Sequence, residues 1–118
     1  MPVPEASLSP QQRTVRKMRR DAAGAAIRRA REAASMSRDE LAAASGVSVP
    51  VIVRIELGTS GIQLDRLWDL AEALGTTPSA LLADAERHMS TGDTGAARST
   101  SSARPENRET SRPDTSPR

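Results

Sequence analysis

Residues 46–58 read GVSVPVIVRIELG, a stretch that is compatible with two opposite secondary structures. Every second residue from Val47 to Leu57 is aliphatic, and β-branched side chains dominate, so the period of two favours a β-strand. Pro50 lies in the middle of the stretch, where it would remove a hydrogen-bond donor from a strand ladder. The stretch alone does not decide between strand and helix, so the flanking sequence has to.

Four flanking segments are helical by propensity, by capping pattern or by apolar period: residues 21–34, 35–46, 63–75 and 77–88. The second of them holds Ser37 and Glu40 in capping-box spacing and ends at Gly46, a typical left-handed C-cap. In the third, we expect Trp68 to lie on the apolar stripe and to be part of the core. No segment reads as a second strand.

A lone strand in a helical chain would have no partner for its backbone groups, so we predict a helix for the opening stretch. Ser48 is then the N-cap, Pro50 lies in the first turn, where its missing N–H is harmless, and Gly58 ends the helix. Val47, Ile52 and Ile55 should point into the core. Together with the flanking segments, this predicts an all-α fold.

Composition excludes several classes of function. The chain has 118 residues, no Cys and a single His, His88, which is too few for a common metal cluster or a catalytic triad. We therefore expect no enzymatic activity, no cofactor and no metal site. The longest apolar run has about six residues against the ~20 that a membrane span needs, and no secretory signal precedes it. A cytoplasmic protein is the expectation.

Positive charge is concentrated at the front of the chain. Residues 1–36 carry eight Arg and Lys against three Asp and Glu, whereas residues 37–89 carry four against eight. A basic front is suited to a polyanion such as DNA, although a solvated helix face would look similar.

The organisation along the chain follows from composition. Residues 1–20 form either a basic N-terminal arm or a helical extension, with Ser9 and Pro10 as a start signal for the helix. Residues 21–87 hold the foldable domain. Residues 88–118 should be a disordered tail, because from residue 90 onward they contain no Leu, Ile, Val or aromatic residue.

The order helix, short turn with Gly, helix in LAAASGVSVPVIVRIELG is the layout of a helix-turn-helix. The longer pattern IRRAREAASMSRDELAAASGVSVPVIVRIELG, followed by LDRLWDLAEALGTTPSALL, resembles the Cro/phage-repressor-like family, also called the XRE family of helix-turn-helix proteins. The resemblance covers about residues 22–84. It implies a compact five-helix domain like that of lambda repressor, which binds double-stranded DNA.

The resemblance also implies which residues meet DNA. Helix 48–57 would enter the major groove, and its groove-facing residues would be Ser48, Val49, Pro50, Val51 and Arg54. Contacts to the DNA phosphates would come from Arg38, Thr59 and Ser60. The basic front would follow the backbone or enter the minor groove through Arg13, Arg16, Lys17, Arg19 and Arg20. Because valine makes no hydrogen bond, base readout should rest mainly on Arg54.

A further implication of the resemblance is structural. Arg31 and Glu56 occupy the positions at which these domains commonly tie the first helix to the end of the recognition helix. We therefore expect an ion pair there, with a role in stability and none in reading DNA.

Two functions remain open from the sequence. The first is a bacterial or phage-type transcription regulator, expected to be a repressor that occupies an operator as a homodimer, with Leu81 and Leu82 as candidates for the dimer contact. The second is an antitoxin or adaptor that uses solvent-exposed Val49, Val51 and Val53 to bind a protein partner.

Overall fold

The computed structural model describes residues 7–90, and every regular element in this range is an α-helix. The helices are α1 (Pro10–Ala33), α2 (Arg38–Ser45), α3 (Val49–Leu57), α4 (Leu64–Ala73) and α5 (Pro78–Ser90). The predicted all-α architecture with five helices is therefore confirmed. Of the predicted tail, residues 88–118, the first three residues belong to α5, and residues 91–118 lie outside the described residues. Within residues 7–90, no helix combines the length and the hydropathy that crossing a membrane requires.

The ambiguous stretch forms α3, as the helical context predicted. Ser48 is the N-cap by its backbone, with φ −68° and ψ 153°, but its hydroxyl makes no capping hydrogen bond. Pro50 lies in the first turn, and Gly58 ends the helix with φ +75°, a left-handed conformation that favours glycine. Ile52 and Ile55 are almost completely buried. Burial of these side chains against the other helices thus outweighs the β-propensity of the stretch.

Residues 10–20 are helical and continue without a break into the domain. Ser9 caps α1 by accepting a hydrogen bond from the Gln12 amide at 3.1 Å, and the Gln12 side chain accepts one from the Ser9 amide at 2.8 Å. Pro10 occupies the first turn. With 24 residues, α1 is about 36 Å long at the usual rise of an α-helix. The alternative of an unstructured arm does not hold for the described residues 7–20.

The core is small and aliphatic. Its five largest fully buried side chains come from four of the helices: Ile27, Leu41, Ile52, Ile55 and Leu70. α1 packs mainly against α5 and α3, and α2 packs against α4 and α3. Val47 joins this core from the turn before α3. The prediction that Val47, Ile52 and Ile55 point inward is therefore confirmed.

The contact between α1 and α3 is unusually close because of Gly24. A Cβ atom at this position would overlap the carbonyl oxygen of Ile55. A Cβ at Gly58 would overlap the side chain of Asp21 in the same way. The end of α3 therefore lies directly on the backbone of α1, which fixes how α3 is oriented within the domain.

Two expectations about apolar residues are wrong. Trp68 is 52% exposed and lies on the outer side of α4, whereas its neighbours Leu67 and Leu70 are buried. Leu81 is 5% exposed and belongs to the core, so it is not accessible for a dimer contact, whereas Leu82 is 45% exposed. Helical spacing identified the apolar stripe of each helix. Which residues of a stripe are buried depends on the side from which the neighbouring helices pack against it.

Candidate nucleic-acid interface

α2, the turn and α3 form a helix-turn-helix unit. α2 ends at Gly46, whose φ of +79° is left-handed, and residues 46–48 connect it to α3. Val47 in this turn is buried and anchors the connection in the core. α2 also packs against both α3 and α4. α3 is therefore held at a defined angle, with one side in the core and the other side outward.

On the outward side of α3, three of the five predicted groove residues are exposed: Ser48, Pro50 and Arg54. Val49 and Val51 are partly buried, and Val51 packs against the core. The Ser48 hydroxyl is not used for capping. The Arg54 side chain has no ion pair with any residue in the range 7–90. Arg54 and Ser48 are therefore the groups on this surface that can bond to base edges.

The expectation of a valine surface on α3 is wrong. Val49, Val51 and Val53 are each only partly exposed, and none is among the large hydrophobic side chains that face solvent. Aliphatic side chains on more than one side of α3 pack against the core. The observation that favoured an antitoxin or adaptor is thus absent from this surface.

Below the groove-facing side lies a cluster of charges around Glu56. The Glu56 carboxylate accepts hydrogen bonds from Arg31 Nε at 2.7 Å and Arg31 Nη2 at 3.0 Å. Arg38 Nε donates to the same carboxylate at 2.9 Å. Glu56 is buried, its side chain being only 1% exposed. Arg31 also donates to the carbonyl oxygen of Met36 at 3.0 Å, so the cluster ties α1, α2 and α3 together.

The charge state of this cluster is set by two opposing effects. Burial raises the pKa of Glu56, but the hydrogen bonds from Arg31 and Arg38 outweigh it and hold the pKa below its ordinary value. The hydrogen bond to Glu56 in turn raises the pKa of Arg31. Glu56 is therefore a carboxylate and both arginines are cations at neutral pH.

The family resemblance pairs Glu56 with Arg31 alone and assigns Arg38 to a phosphate contact. In the structure, Arg38 is the first residue of α2, its side chain is 39% exposed, and its Nε bonds to Glu56. Eighteen residues separate the two in sequence, and no local spacing rule relates residues so far apart. Only the packing of α2 against α3 brings them together.

A second polar group lies beyond the end of α3. Arg20 Nε donates to the carbonyl oxygen of Gly58 at 3.2 Å, and Arg20 lines one depression together with Thr59 and Ser60. Thr59 is exposed, and its hydroxyl donates to the carbonyl oxygen of Arg54 at 3.2 Å. The predicted phosphate contacts Thr59 and Ser60 are thus joined by Arg20 from α1.

The other basic residues of α1 do not all share this side. Lys17 pairs with Asp21 on the helix surface. Arg16 and Arg19 line a different depression, which they share with Leu8 and Val15. Arg13 Nη1 donates to the Leu8 carbonyl oxygen. The structure therefore brings Arg20 to the end of α3, and it gathers Arg16 and Arg19 in a separate depression.

Comparison with known proteins agrees with this geometry. A family model described as helix-turn-helix matches residues 27–81, which contain all of α2, α3 and α4. The crystal structure of the clp gene regulator ClgR from Corynebacterium glutamicum is 30% identical, with a TM-score of 0.61, over 65% of this chain and 82% of that chain. A second ClgR crystal structure from C. glutamicum is 32% identical, with a TM-score of 0.58, over 60% of this chain and 92% of that chain.

No curated protein matches the chain. The two solved ClgR structures still share 30% or more of their residues with it across most of their own length. The matched helix-turn-helix region carries the residues that suggested the resemblance, from Ile27 on α1 to Leu81 on α5. This chain belongs to the XRE-type helix-turn-helix family of DNA-binding proteins.

Proposed function

We propose that this protein is a transcription regulator that binds double-stranded DNA by inserting α3 into the major groove. The observation that carries the proposal is the outward side of α3, where the Ser48 hydroxyl and the Arg54 guanidinium are exposed and unused by the fold. Family membership supports the same function, and the solved relative ClgR is described as a gene regulator.

Arg54 is the main base-reading residue in this proposal. A guanidinium can donate two hydrogen bonds to O6 and N7 of guanine, which is worth about 1–3 kcal/mol of discrimination. Ser48 adds a hydroxyl that can donate or accept, and Pro50 offers apolar contact to a thymine methyl group. The half-buried Val49 and Val51 contribute shape at the groove and no hydrogen bonds.

Phosphate contacts flank α3 on both sides. Arg38 lies at the start of α2, and Arg20, Thr59 and Ser60 lie beyond the end of α3. The remaining basic residues that we assign to the DNA backbone from the sequence are Arg16, Lys17 and Arg19. Contacts of this kind set the register of the protein on DNA and carry little sequence information.

A homodimeric repressor is the form of regulator that we propose, acting in the bacterial cytoplasm on a palindromic operator. Two copies of α3 would then read half-sites about 34 Å apart. Leu82 is the exposed candidate for the dimer contact on α5, next to an apolar groove of about 690 Å³ between α1, α4 and α5. The small aliphatic core also favours association, since domains of this size are marginally stable alone.

The test is binding of fluorescently labelled DNA, measured by anisotropy at physiological salt. The DNA upstream of the protein's own gene is compared with a scrambled duplex, for the wild type, Arg54→Ala and the control Arg66→Ala, which removes an exposed arginine of α4. We expect specific binding to exceed non-specific binding by about 10³-fold or more. Arg54→Ala should remove about 1–3 kcal/mol of this preference, and Arg66→Ala should leave it unchanged. Equal affinity of the wild type for both duplexes would contradict the proposal for this operator, and a genome-wide selection of bound fragments would then decide whether any sequence is preferred.

A further inference from the structure

The N-terminal half of α1 extends beyond the rest of the domain and carries an apolar pair. All residues from Gln11 to Arg19 are exposed. Val15 and Met18, which are 40% and 38% exposed, lie three residues apart and therefore on one side of the helix. Arg16 and Arg19 line one depression with Val15. Neither arginine forms an ion pair with any residue in the range 7–90. We call residues 10–19 the α1 projection.

A surface of opposite charge lies on α4. Leu64 and Trp68, four residues apart, are 64% and 52% exposed. Three exposed carboxylates follow the same side of the helix around Trp68, at Asp65, Asp69 and Glu72. Within the described residues, none of the three is in an ion pair. We call these five residues the α4 surface.

The two features match in chemistry but do not meet within one protomer, in which α1 packs mainly against α5 and α3. Each feature presents a pair of apolar side chains. The unpaired charges next to these side chains are cationic on the α1 projection and anionic on the α4 surface. Two α1 projections packed on each other would bring four arginines together, which disfavours that arrangement. A DNA backbone would use the arginines and leave Val15 and Met18 in water. The partner that satisfies both the apolar and the charged groups of the α1 projection is an acidic, aromatic surface.

We propose that this partner is the α4 surface of a second copy of the chain, so that two protomers exchange their α1 projections in a two-fold dimer. Arg16 and Arg19 then face Asp69 and Glu72 of the second copy, and Val15 and Met18 pack on Leu64 and Trp68. An arginine beside Trp68 adds a cation–π contact. The self-complementary pattern of a two-fold interface is satisfied because each protomer carries both halves.

The position of the two features supports the exchange. Arg19 and Arg20 of α1 form one side of the apolar groove of about 690 Å³, and Ile62 and Leu67, at the start of α4, form another. The base of the α1 projection therefore lies across a single groove from the helix that bears the α4 surface. A second copy seated over this groove would bring its own projection to α4 without a change in either fold.

This inference specifies the dimer of the proposed function and does not depend on DNA binding. It also takes Arg16 and Arg19 out of the DNA interface and leaves Lys17 and Arg20 there. Failure of the dimer interface and failure of DNA binding are separate results, because self-association is measured without DNA.

The test reverses the charges on each half separately in the full chain. One variant is Arg16→Glu/Arg19→Glu and the other is Asp69→Arg/Glu72→Arg; all four positions are exposed, and circular dichroism checks that the fold is retained. Sedimentation equilibrium should show that each variant alone dimerises about tenfold or more weakly than wild type. An equimolar mixture of the two variants should recover wild-type affinity as a heterodimer, because both exchanged contacts are then between opposite charges. The control Arg28→Glu, on an exposed part of α1 outside the projection, should dimerise like the wild type.

Trp68 provides an independent readout, since it is the only tryptophan of the chain. Its emission should move to shorter wavelength as the wild type dimerises and should stay at longer wavelength in either reversed variant. The inference is overturned if the wild type remains monomeric across a concentration series that rises in 100-fold steps to about millimolar. This range covers weak interfaces. It is also overturned if the mixture fails to recover association, or if Arg16→Glu/Arg19→Glu dimerises normally and loses affinity only for DNA.

Discussion

Glu56 shows how one residue joins three elements. Its buried carboxylate accepts hydrogen bonds from Arg31 on α1 and from Arg38 on α2, while its own backbone belongs to the last turn of α3. A buried charge is costly unless it is paired and fully hydrogen-bonded, and two guanidinium groups meet that condition here. The orientation of α3 in the domain thus depends on a buried side chain.

The first prediction concerns the loss of this charge. Glu56→Gln keeps the shape but leaves Arg31, whose side chain is 12% exposed, without its counterion. We expect the free energy of unfolding to fall by about 3 kcal/mol, measured by urea denaturation at pH 7. Arg28→Gln removes the exposed pair with Glu32 and should cost about 0.5 kcal/mol or less. Equal losses in the two variants would show that the Glu56 cluster contributes no more than a surface pair.

The second prediction is a dependence of stability on acid pH. The folded-state pKa of Glu56 is below its ordinary value of 4.5, so the unfolded chain binds more protons as the pH falls. The stability that ionised Glu56 contributes is complete above about pH 4.5. It is lost as the pH drops through the lower pKa of the folded state. Unfolding free energies measured from pH 7 to pH 3 should therefore decline in wild type below about pH 5.

Asp84 contributes to the same loss of stability at acid pH. Burial raises its pKa, but the hydrogen bond from Arg29 and neighbouring positive charges lower it overall. Glu56→Gln should therefore flatten the decline without removing it, and Asp84→Asn should flatten it further. An unchanged slope in Glu56→Gln would mean that Glu56 titrates alike in the folded and unfolded chains.

At the scale of elements, α3 depends on its contact with α1. Gly24 lets the backbone of α1 approach the last turn of α3, where the Ile55 carbonyl lies. In an isolated helix, alanine is more favourable than glycine by about 1 kcal/mol, so the retained glycine is explained by packing and not by propensity. Close backbone contact is a property of the helix pair that neither helix has alone.

The third prediction tests this contact. Gly24→Ala would place a methyl group onto the Ile55 carbonyl oxygen, so α1 and α3 must move apart. We expect a loss of about 2 kcal/mol or more in stability, of the size seen for overpacked cores, measured by thermal unfolding. The matched variant Gly61→Ala, where an added methyl meets nothing within 4 Å, should leave the Tm within about 2 °C of the wild type. A Gly24→Ala protein as stable as wild type would show that the helix pair adjusts freely.

At the scale of the whole molecule, charge is divided between faces. The basic residues are concentrated on α1, whereas residues 37–89 are net acidic. DNA affinity should therefore come from a limited set of phosphate contacts around α3 and not from a uniformly positive surface. About six contacts would give a slope of log K against log salt near −5.

The fourth prediction separates phosphate contact from base reading. Arg38→Met should reduce the magnitude of the salt slope by about 1 and weaken specific and scrambled DNA alike. Arg54→Ala should instead reduce the preference between the two DNAs. Titrations at four or more salt concentrations measure both quantities. If Arg38→Met leaves the slope unchanged, Arg38 serves only the Glu56 cluster.

Local patterns in the sequence were enough to predict the helices from residue 21 onward and the family, but they left residues 10–20 open between a helix and an arm. Capping boxes, glycine C-caps, apolar period and Pro50 in a first turn depend on neighbours within a few residues, so they can be read along the chain. The matching pattern also pointed to the Arg31–Glu56 pair and to α3 as the recognition helix. These features, including the helical state of a stretch with strand-like period, needed no coordinates.

Which side of each helix is covered depends on the packing of the whole domain. It placed Trp68 outside and Leu81 inside, half-buried the valines of α3, and brought Arg38 to Glu56 across 18 residues of chain. It also placed Arg20 beside Thr59 and Ser60, and it gathered Arg16 and Arg19 in a separate depression. Burial and long-range pairing depend on how distant helices pack, and residues far apart in sequence carry no local signal of that arrangement.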